Sequence, residues 1–467
     1  MARSLISKLS LEDELSSTVE PVDEVSDTVY SVEIEAANIG DDPELNEAEA
    51  IEENLVAKAE KLENTINTTD SDEVEKITTL AYATEALEYA RNRLGIASTS
   101  IAHEDFDAKL KLTHEGLWKT IWEFLKRFIT AIVVKVKHFL TSCDDEDRKI
   151  EKELATLKNI KINQDLNLHH ALAFRLFNIF ILKDNKAVYE IPNGDWRTTI
   201  SNINYYGRDS ILTDKLISTS RDICKTLSGF DISHLVKSYT MGHRDDIDEA
   251  NIVKVKDNLY TIYELLTKFD INLYLNRSNK DMERDLYGLC GPWISSAQVV
   301  DSPTLRIHEE EFPSTVIDLL GEKIGRQRFL CKASVSLGAY NSANIENYME
   351  HDGEVTTMSR SDATSYVKAC LSSSESLLKS TKSVSKDINM LTKHLDDINK
   401  RLSKLDENSN NLLSKTDGEL YRICLALRYA INTYFNLMLP VVKFTRILIN
   451  ELLRRAQLLS SSMDVKA

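Results

Sequence analysis

The stretch LLKSTKSVSKDINMLTKHLDDINKRLSKL, Leu377 to Leu405, repeats apolar residues at three- and four-residue steps. Leu377, Val384, Ile388, Leu391, Leu395, Ile398, Leu402 and Leu405 carry the pattern, and Leu412 continues it, with Thr381 and Ser409 as polar interruptions. Such steps keep one face of a helix apolar through about five heptads, which demands a partner helix along the whole length. After DENSNN (406–411) the pattern resumes in ELYRICLALRYAINTYFNLMLPVVKFTRILINELLRRAQLL, where Pro440 is expected to kink the helix. Residues 361–467 therefore read as a long antiparallel helical hairpin, with an intermolecular coiled coil as the competing arrangement.

Composition agrees with long helices. The 467 residues hold only 14 Gly and 7 Pro, against 42% hydrophobic residues, enough for a sizeable core but poor in turns. The six cysteines, at 143, 224, 290, 331, 370 and 424, form no CxxC pair, which points to free thiols in a reducing compartment. The N-terminus lacks an apolar run of secretory length, and the best candidate for a membrane span, FITAIVVKVKHFL, is interrupted by Lys135 and Lys137.

Upstream of the hairpin, residues 189–360 read as a mixed α+β region. SAQVVDSPTLRIHEEEFP and RQRFLCKASVSLGAY have the β-branched content of short strands. DKLISTSRDICKTLSGF and DEANIVKVKDNLYTIYELLTKF read as helices, and YEIPNGDWRTTI holds a turn signal. Within 105–188, a basic amphipathic helix is expected from about Glu115 to Leu140. A second helix is expected to start at the acidic cluster DDEDRK, and LNLHHALAFRLFNIFIL reads as a buried one. Trp118, Trp122 and Phe128 with Lys126 and Arg127 suit a membrane or partner surface, and suit plain core packing with snorkelling lysines somewhat better.

No catalytic, cofactor or metal constellation stands out. Nucleotide-binding glycine loops, HExxH and GxSxG are all absent. Cys290, set between glycines, and His308 form at most a loose nucleophile pair, and a structural cysteine in a turn is the simpler reading. His169-His170 would point about 100° apart on a helix, and His308 heads a run of three glutamates typical of a surface. No small-molecule substrate is expected.

Charge divides the chain. Residues 1–104 carry 25 Asp+Glu and 7 Lys+Arg, a net of −18, and the rest carries 49 acids and 50 bases. Residues 1–48 look weakly ordered, and from about Glu49 to Arg93 two acidic helices are expected, the second ending at Gly95. A linker over 96–113 follows.

The acidic region repeats the triplet small-x-Glu. Copies are Ser10-Leu11-Glu12, Ser31-Val32-Glu33, Ala50-Ile51-Glu52, Ser71-Asp72-Glu73, Ala86-Leu87-Glu88 and Ala102-His103-Glu104. The last falls where charge, aromatic content and helix type all change. With the following EGLWKTIWEFLKRFITAIVVKVKHFL, residues 1–142 resemble the internal head (inner body) proteins of giant tailed bacteriophages. The resemblance implies a non-enzymatic virion structural protein, made in the host cytoplasm and packaged in the capsid interior. It implies an acidic propeptide, 1–104, removed by a prohead protease during head maturation. Ala102, His103 and Glu104 would then be its last residues and Asp105 the new N-terminus, with Ser31, Val32, Glu33 and Ala86, Leu87, Glu88 as secondary sites. Partners would be other head proteins and packaged DNA. A second reading is a membrane- or partner-binding helical protein in which the acidic arm is an autoinhibitory mask.

The fold expected is mainly α: an acidic N-terminal helical region, a helical core with a small β element, and a C-terminal long helical hairpin.

Overall fold

A computed structural model describes residues 43–68, 73–96, 106–169, 176, 180–181, 196–205, 212, 214–230, 249–267, 283–289, 302–312, 314–321, 327–336, 355–406 and 417–464. In chain order these form α1 (Pro43–Asn67), α2 (Glu73–Leu94), α3 (Phe106–Leu157), β1 (Leu166–His169), β2 (Phe180–Ile181), α4 (Trp196–Tyr205), α5 (Asp214–Ser228), α6 (Glu249–Thr267) and β3 (Glu283–Leu289). They continue with β4 (Ser302–Glu311), α7 (Ser314–Leu320), β5 (Gln327–Ser336), β6 (Val355–Met358), α8 (Arg360–Asp406) and α9 (Asp417–Asp464). The protein is mainly α, with a small β element and a C-terminal pair of long helices.

α9 is the axis of the fold. From Ile423 to Ile449 only Asn432 escapes full burial, so the helix is enclosed around its circumference. A helix apolar on every side belongs inside others. Here the cover comes from α8 and α3 along the length, with α5, α6, α7, β4 and β5 closing the remaining sides. Each fully buried leucine in this core contributes on the order of 2 kcal/mol. Pro440 lies within α9, at a position where one backbone hydrogen bond is lost.

The heptad face of α8 is covered by this same chain. Leu377, Val384, Ile388, Leu391, Leu395 and Ile398 are all buried, as is Thr381, whose hydroxyl turns back to the Leu378 carbonyl at 2.9 Å. α8 runs antiparallel to α3: Thr130, Lys137 and Glu151 of α3 meet Asn399, Asp396 and Lys382 in falling order. α3 and α9 run parallel, with Phe128 at Arg428 and Asp147 at Arg446. The hairpin is therefore intramolecular and is one part of a three-helix bundle. Ser409 and Leu412 lie outside the described residues.

α3 corrects an expectation. It is one helix of 52 residues, about 78 Å long at 1.5 Å per residue, rather than two helices meeting at the acidic cluster, and it begins at Phe106 inside the expected linker. Glu146 and Asp147 did not start a helix. They turn inward, where Lys443 Nζ donates to Glu146 Oε2 at 3.3 Å and Arg446 donates to Asp147.

LNLHHALAFRLFNIFIL is likewise not one buried helix. Leu166–His169 is β1, antiparallel to β6, and Phe180–Ile181 is β2. The remaining strands form one antiparallel sheet in the order β2-β3-β4-β5, with a register shift between Asp285 and Tyr287. β6 leads directly into α8 through a reciprocal cap. The Asp362 amide donates to Ser359 Oγ at 3.1 Å, and that hydroxyl donates to the Asp362 carboxylate at 2.6 Å.

α1 and α2 form the expected acidic hairpin, tied by Arg93 to Glu47 and by Lys58 over the Tyr82 ring at 5.3 Å. α2 ends in a left-handed residue, Gly95 at φ 65°, and the Ile96 amide reaches back to the Arg91 carbonyl at 2.9 Å. One apolar core runs without a break from Leu45 to Leu459. Leu45 to Leu94, within the acidic region, share this core with α3 and α9.

Candidate functional site

The place where the acidic hairpin meets the body gathers several carboxylates and arginines. α1 places Glu49, Glu52, Glu53 and Glu60 on one side, because helix positions three, four and eleven residues apart share a face. Leu55, Val56, Ala59 and Leu62 supply the buried apolar stripe beside them, at 0–4% exposure.

Opposite stands α9. Arg428 Nη2 donates to Glu49 Oε1 at 3.0 Å, and its Nη1 pairs with Glu52. Both members of the inner pair are withdrawn from water, with side-chain exposures of 1% and 2%. The guanidinium stacks 4.7 Å from the Phe128 ring of α3 and 4.8 Å from the Tyr429 ring, the planar contact an arginine makes well. Tyr429 donates its hydroxyl to Glu53 at 2.7 Å, and burial raises its pKa. At the rim, Arg422 donates twice to Glu60 Oε1, at 3.2 and 2.7 Å. Phe128, Ile129, Ile132, Leu395 and Ile431 surround Arg428 with apolar side chains.

α2 lies across α3. Arg127 Nη1 donates to the Leu94 carbonyl at 2.9 Å, satisfying an end carbonyl of α2. Gly116 permits the approach: a Cβ there would come within 2.9 Å of Leu87 Cδ2. Trp118 Nε1 donates to His114 Nε2 at 3.0 Å, so His114 is a neutral imidazole protonated on Nδ1. Its 4.0 Å approach to Glu63 is accordingly not an ion pair, and burial lowers its pKa.

The side chains expected on a membrane or partner face lie beneath the hairpin, as the core-packing alternative anticipates. Trp118, Phe128 and Lys126 are buried, and Trp122 and Arg127 are half-buried. Lys126 pairs with Glu123 at 2.5 Å. This aromatic side of α3 is core, covered by α1, α2 and α9.

Of the expected cleavage residues, Ala102, His103, Glu104 and Asp105 lie outside the described residues, as do Ser31, Val32 and Glu33. Ala86, Leu87 and Glu88 stand in the middle of α2, the first two buried, so this triplet is not offered as the extended backbone a protease needs. Cys290 and His170 are outside the described residues, His308 lies on β4, and His169 on β1. Cys143, Cys224, Cys370 and Cys424 are buried, and burial pushes each thiol up to about 12, far from nucleophilic use. Among the described residues no group of three metal-ligating side chains occurs, and no helix is long and apolar enough to cross a membrane.

Sequence reasoning missed Arg428 and its carboxylate partners. The available signal was a lone arginine inside the apolar run ICLALRYAINTYF, where an unpaired charge is not tolerated. No family model, no curated protein and no solved structure matches this chain.

Proposed function

We propose that this chain is a non-enzymatic structural protein of a phage capsid interior, and that its acidic N-terminal region is severed after Glu104 during head maturation. The observation that supports it is the charged seat of the hairpin. An arm that holds the net −18 of residues 1–104 docks by carboxylates on arginines of a body that is otherwise neutral. An acidic segment so placed covers cationic groups that would otherwise meet nucleic acid or neighbouring proteins during assembly. The junction that carries the cut, 97–105, lies between the end of α2 and the start of α3, so severing it divides the chain between two finished helices. Other head proteins, a prohead protease and packaged DNA are the partners this role requires.

The test is the N-terminal sequence and intact mass of the protein taken from its natural particle or cell. A chain beginning at Asp105 supports processing. One beginning at Met1 or Ala2 rejects it.

A second reading draws on the covering of α3 by α2. There the arm is a permanent mask over Trp118 and Phe128 in a membrane- or partner-binding protein. Binding to anionic vesicles that rises when residues 1–104 are deleted, in protein starting at Met1, would favour this reading.

A further inference from the structure

We infer that the face of α3 and α9 that seats the hairpin is a binding site for an acidic amphipathic helix in its own right, and that residues 43–96 stay bound to it as a separate chain after the 97–105 connection is severed. The inference rests on the reading of that connection as the point of cleavage.

Three features support a site that outlasts its covalent tether. The receptor side is assembled by the body alone. Arg428 is held between Phe128 and Tyr429, all three on helices that lie after the cut. The ligand side is a complete unit: α1 and α2 are joined to each other by Arg93 with Glu47 and by Lys58 on Tyr82, and both lie before the cut. The contact between the two has the anatomy of a strong interface. Leu55, Ala59, Leu62, Leu87, Ala90 and Leu94 are at most 4% exposed, the Arg428–Glu52 pair is desolvated at the centre, and Arg422–Glu60 forms a polar rim.

Release therefore demands that Arg428 lose Glu49 and Glu52 together while its aromatic stack holds the guanidinium away from water. That coupling slows dissociation rather than association. The occupant is defined by chemistry: a helix with carboxylates at positions matching Glu49, Glu52, Glu53 and Glu60 beside an apolar stripe. Processing at Glu104 then yields a two-piece protein whose receptor face remains occupied. Opening that face takes a further event, such as partial unfolding of the body.

The experiment uses the full chain with a site-specific protease sequence inserted between Thr99 and Ser100. After complete cutting, size-exclusion chromatography and native mass spectrometry report whether the pieces co-migrate. Retention at one-to-one stoichiometry is expected, with exchange against a labelled 43–96 peptide slower than the chromatography. Glu52→Gln should speed release by about 100-fold, since it leaves a buried guanidinium half-paired. Glu60→Gln removes only the part-exposed rim pair with Arg422 and should speed release by no more than about five-fold. Prompt release of the uncharged-variant and wild-type fragments alike overturns the inference. Processing itself is judged separately by the native N-terminus: Asp105 with a released hairpin sinks this inference and keeps the proposed function, whereas Met1 sinks the processing whatever the cut protein does.

Discussion

Arg446 of α9 grips Asp147 of α3 with two parallel hydrogen bonds, Nε to Oδ1 at 2.9 Å and Nη2 to Oδ2 at 3.2 Å, with neither side chain more than 6% exposed. The same guanidinium donates to Ser385 of α8 at 3.2 Å, so one buried group fixes all three long helices against sliding. A leucine face tolerates slippage by a heptad, and a single buried polar site removes that freedom.

Breaking this pair on one side leaves a buried charge without its partner. Arg446→Met or Asp147→Asn alone should cost about 3–5 kcal/mol, whereas Arg446→Met with Asp147→Leu should recover most of the loss. Urea titrations followed by circular dichroism give the cycle. Single variants as stable as the parent would show that the pair contributes nothing.

The buried thiols make a labelling prediction. At pH 8 iodoacetamide should leave Cys143, Cys224, Cys370 and Cys424 unmodified until the protein is denatured. Burial raises these groups from 9.0 to about 12, so their contribution to stability is complete below pH 9 and is lost as pH rises from 9 towards 12. Peptide mapping after labelling of the native protein decides it, and rapid modification of any of the four contradicts the burial described.

His114 gives the opposite slope. Burial lowers its pKa from 6.5, with Glu115 pulling weakly upward, so the unfolded chain binds the proton better. Stability from the neutral ring is complete above pH 6.5 and declines as pH falls below it. Protonation would also remove the acceptor that Trp118 uses. His114→Gln should therefore lose less stability than the parent between pH 7.5 and pH 5.5, read as the shift of the urea midpoint. Equal losses would dismiss the role.

Gly116 sets the distance between α2 and α3. Gly116→Ala gains helix propensity and displaces the flexible ends of Leu87 and Arg91, so its net effect should lie within about 1 kcal/mol of zero. Gly116→Val forces branched atoms into the same gap and should cost about 1–3 kcal/mol. Limited proteolysis should cut within 73–96 faster in the valine variant, and unchanged protection would show that the approach has slack.

Much of this fold could be read along the chain. The repeat from Leu377 to Ile398 announced a buried seam, Gly95 announced a helix end, and the β-branched runs at 302–311 and 327–336 became paired strands. Failures share one physical cause, a partner far away in sequence. DDEDRK looked like a helix start because solvated acids favour that position, and only Lys443 and Arg446, about 300 residues on, turn Glu146 and Asp147 into interior groups. Leu166–His169 opens an apolar run that reads as a helix, but it finds its ladder in Val355–Met358. Glu49 and Glu52 gave no sign of a partner within the acidic helix, since Arg428 stands more than 370 residues away.

Glu49 and Arg428 stand 379 residues apart, and the helix that carries Arg428 is the last of the described elements to be made. At about 5–20 residues per second, tens of seconds separate the synthesis of the two. Through that interval the hairpin, α3 and the leucine face of α8 leave the ribosome with no axis to close upon. Closure of this fold thus waits on α9, and contacts of such sequence separation make that closure slow. Until α9 arrives, the apolar faces of α3 and α8 that it covers have nothing to close upon.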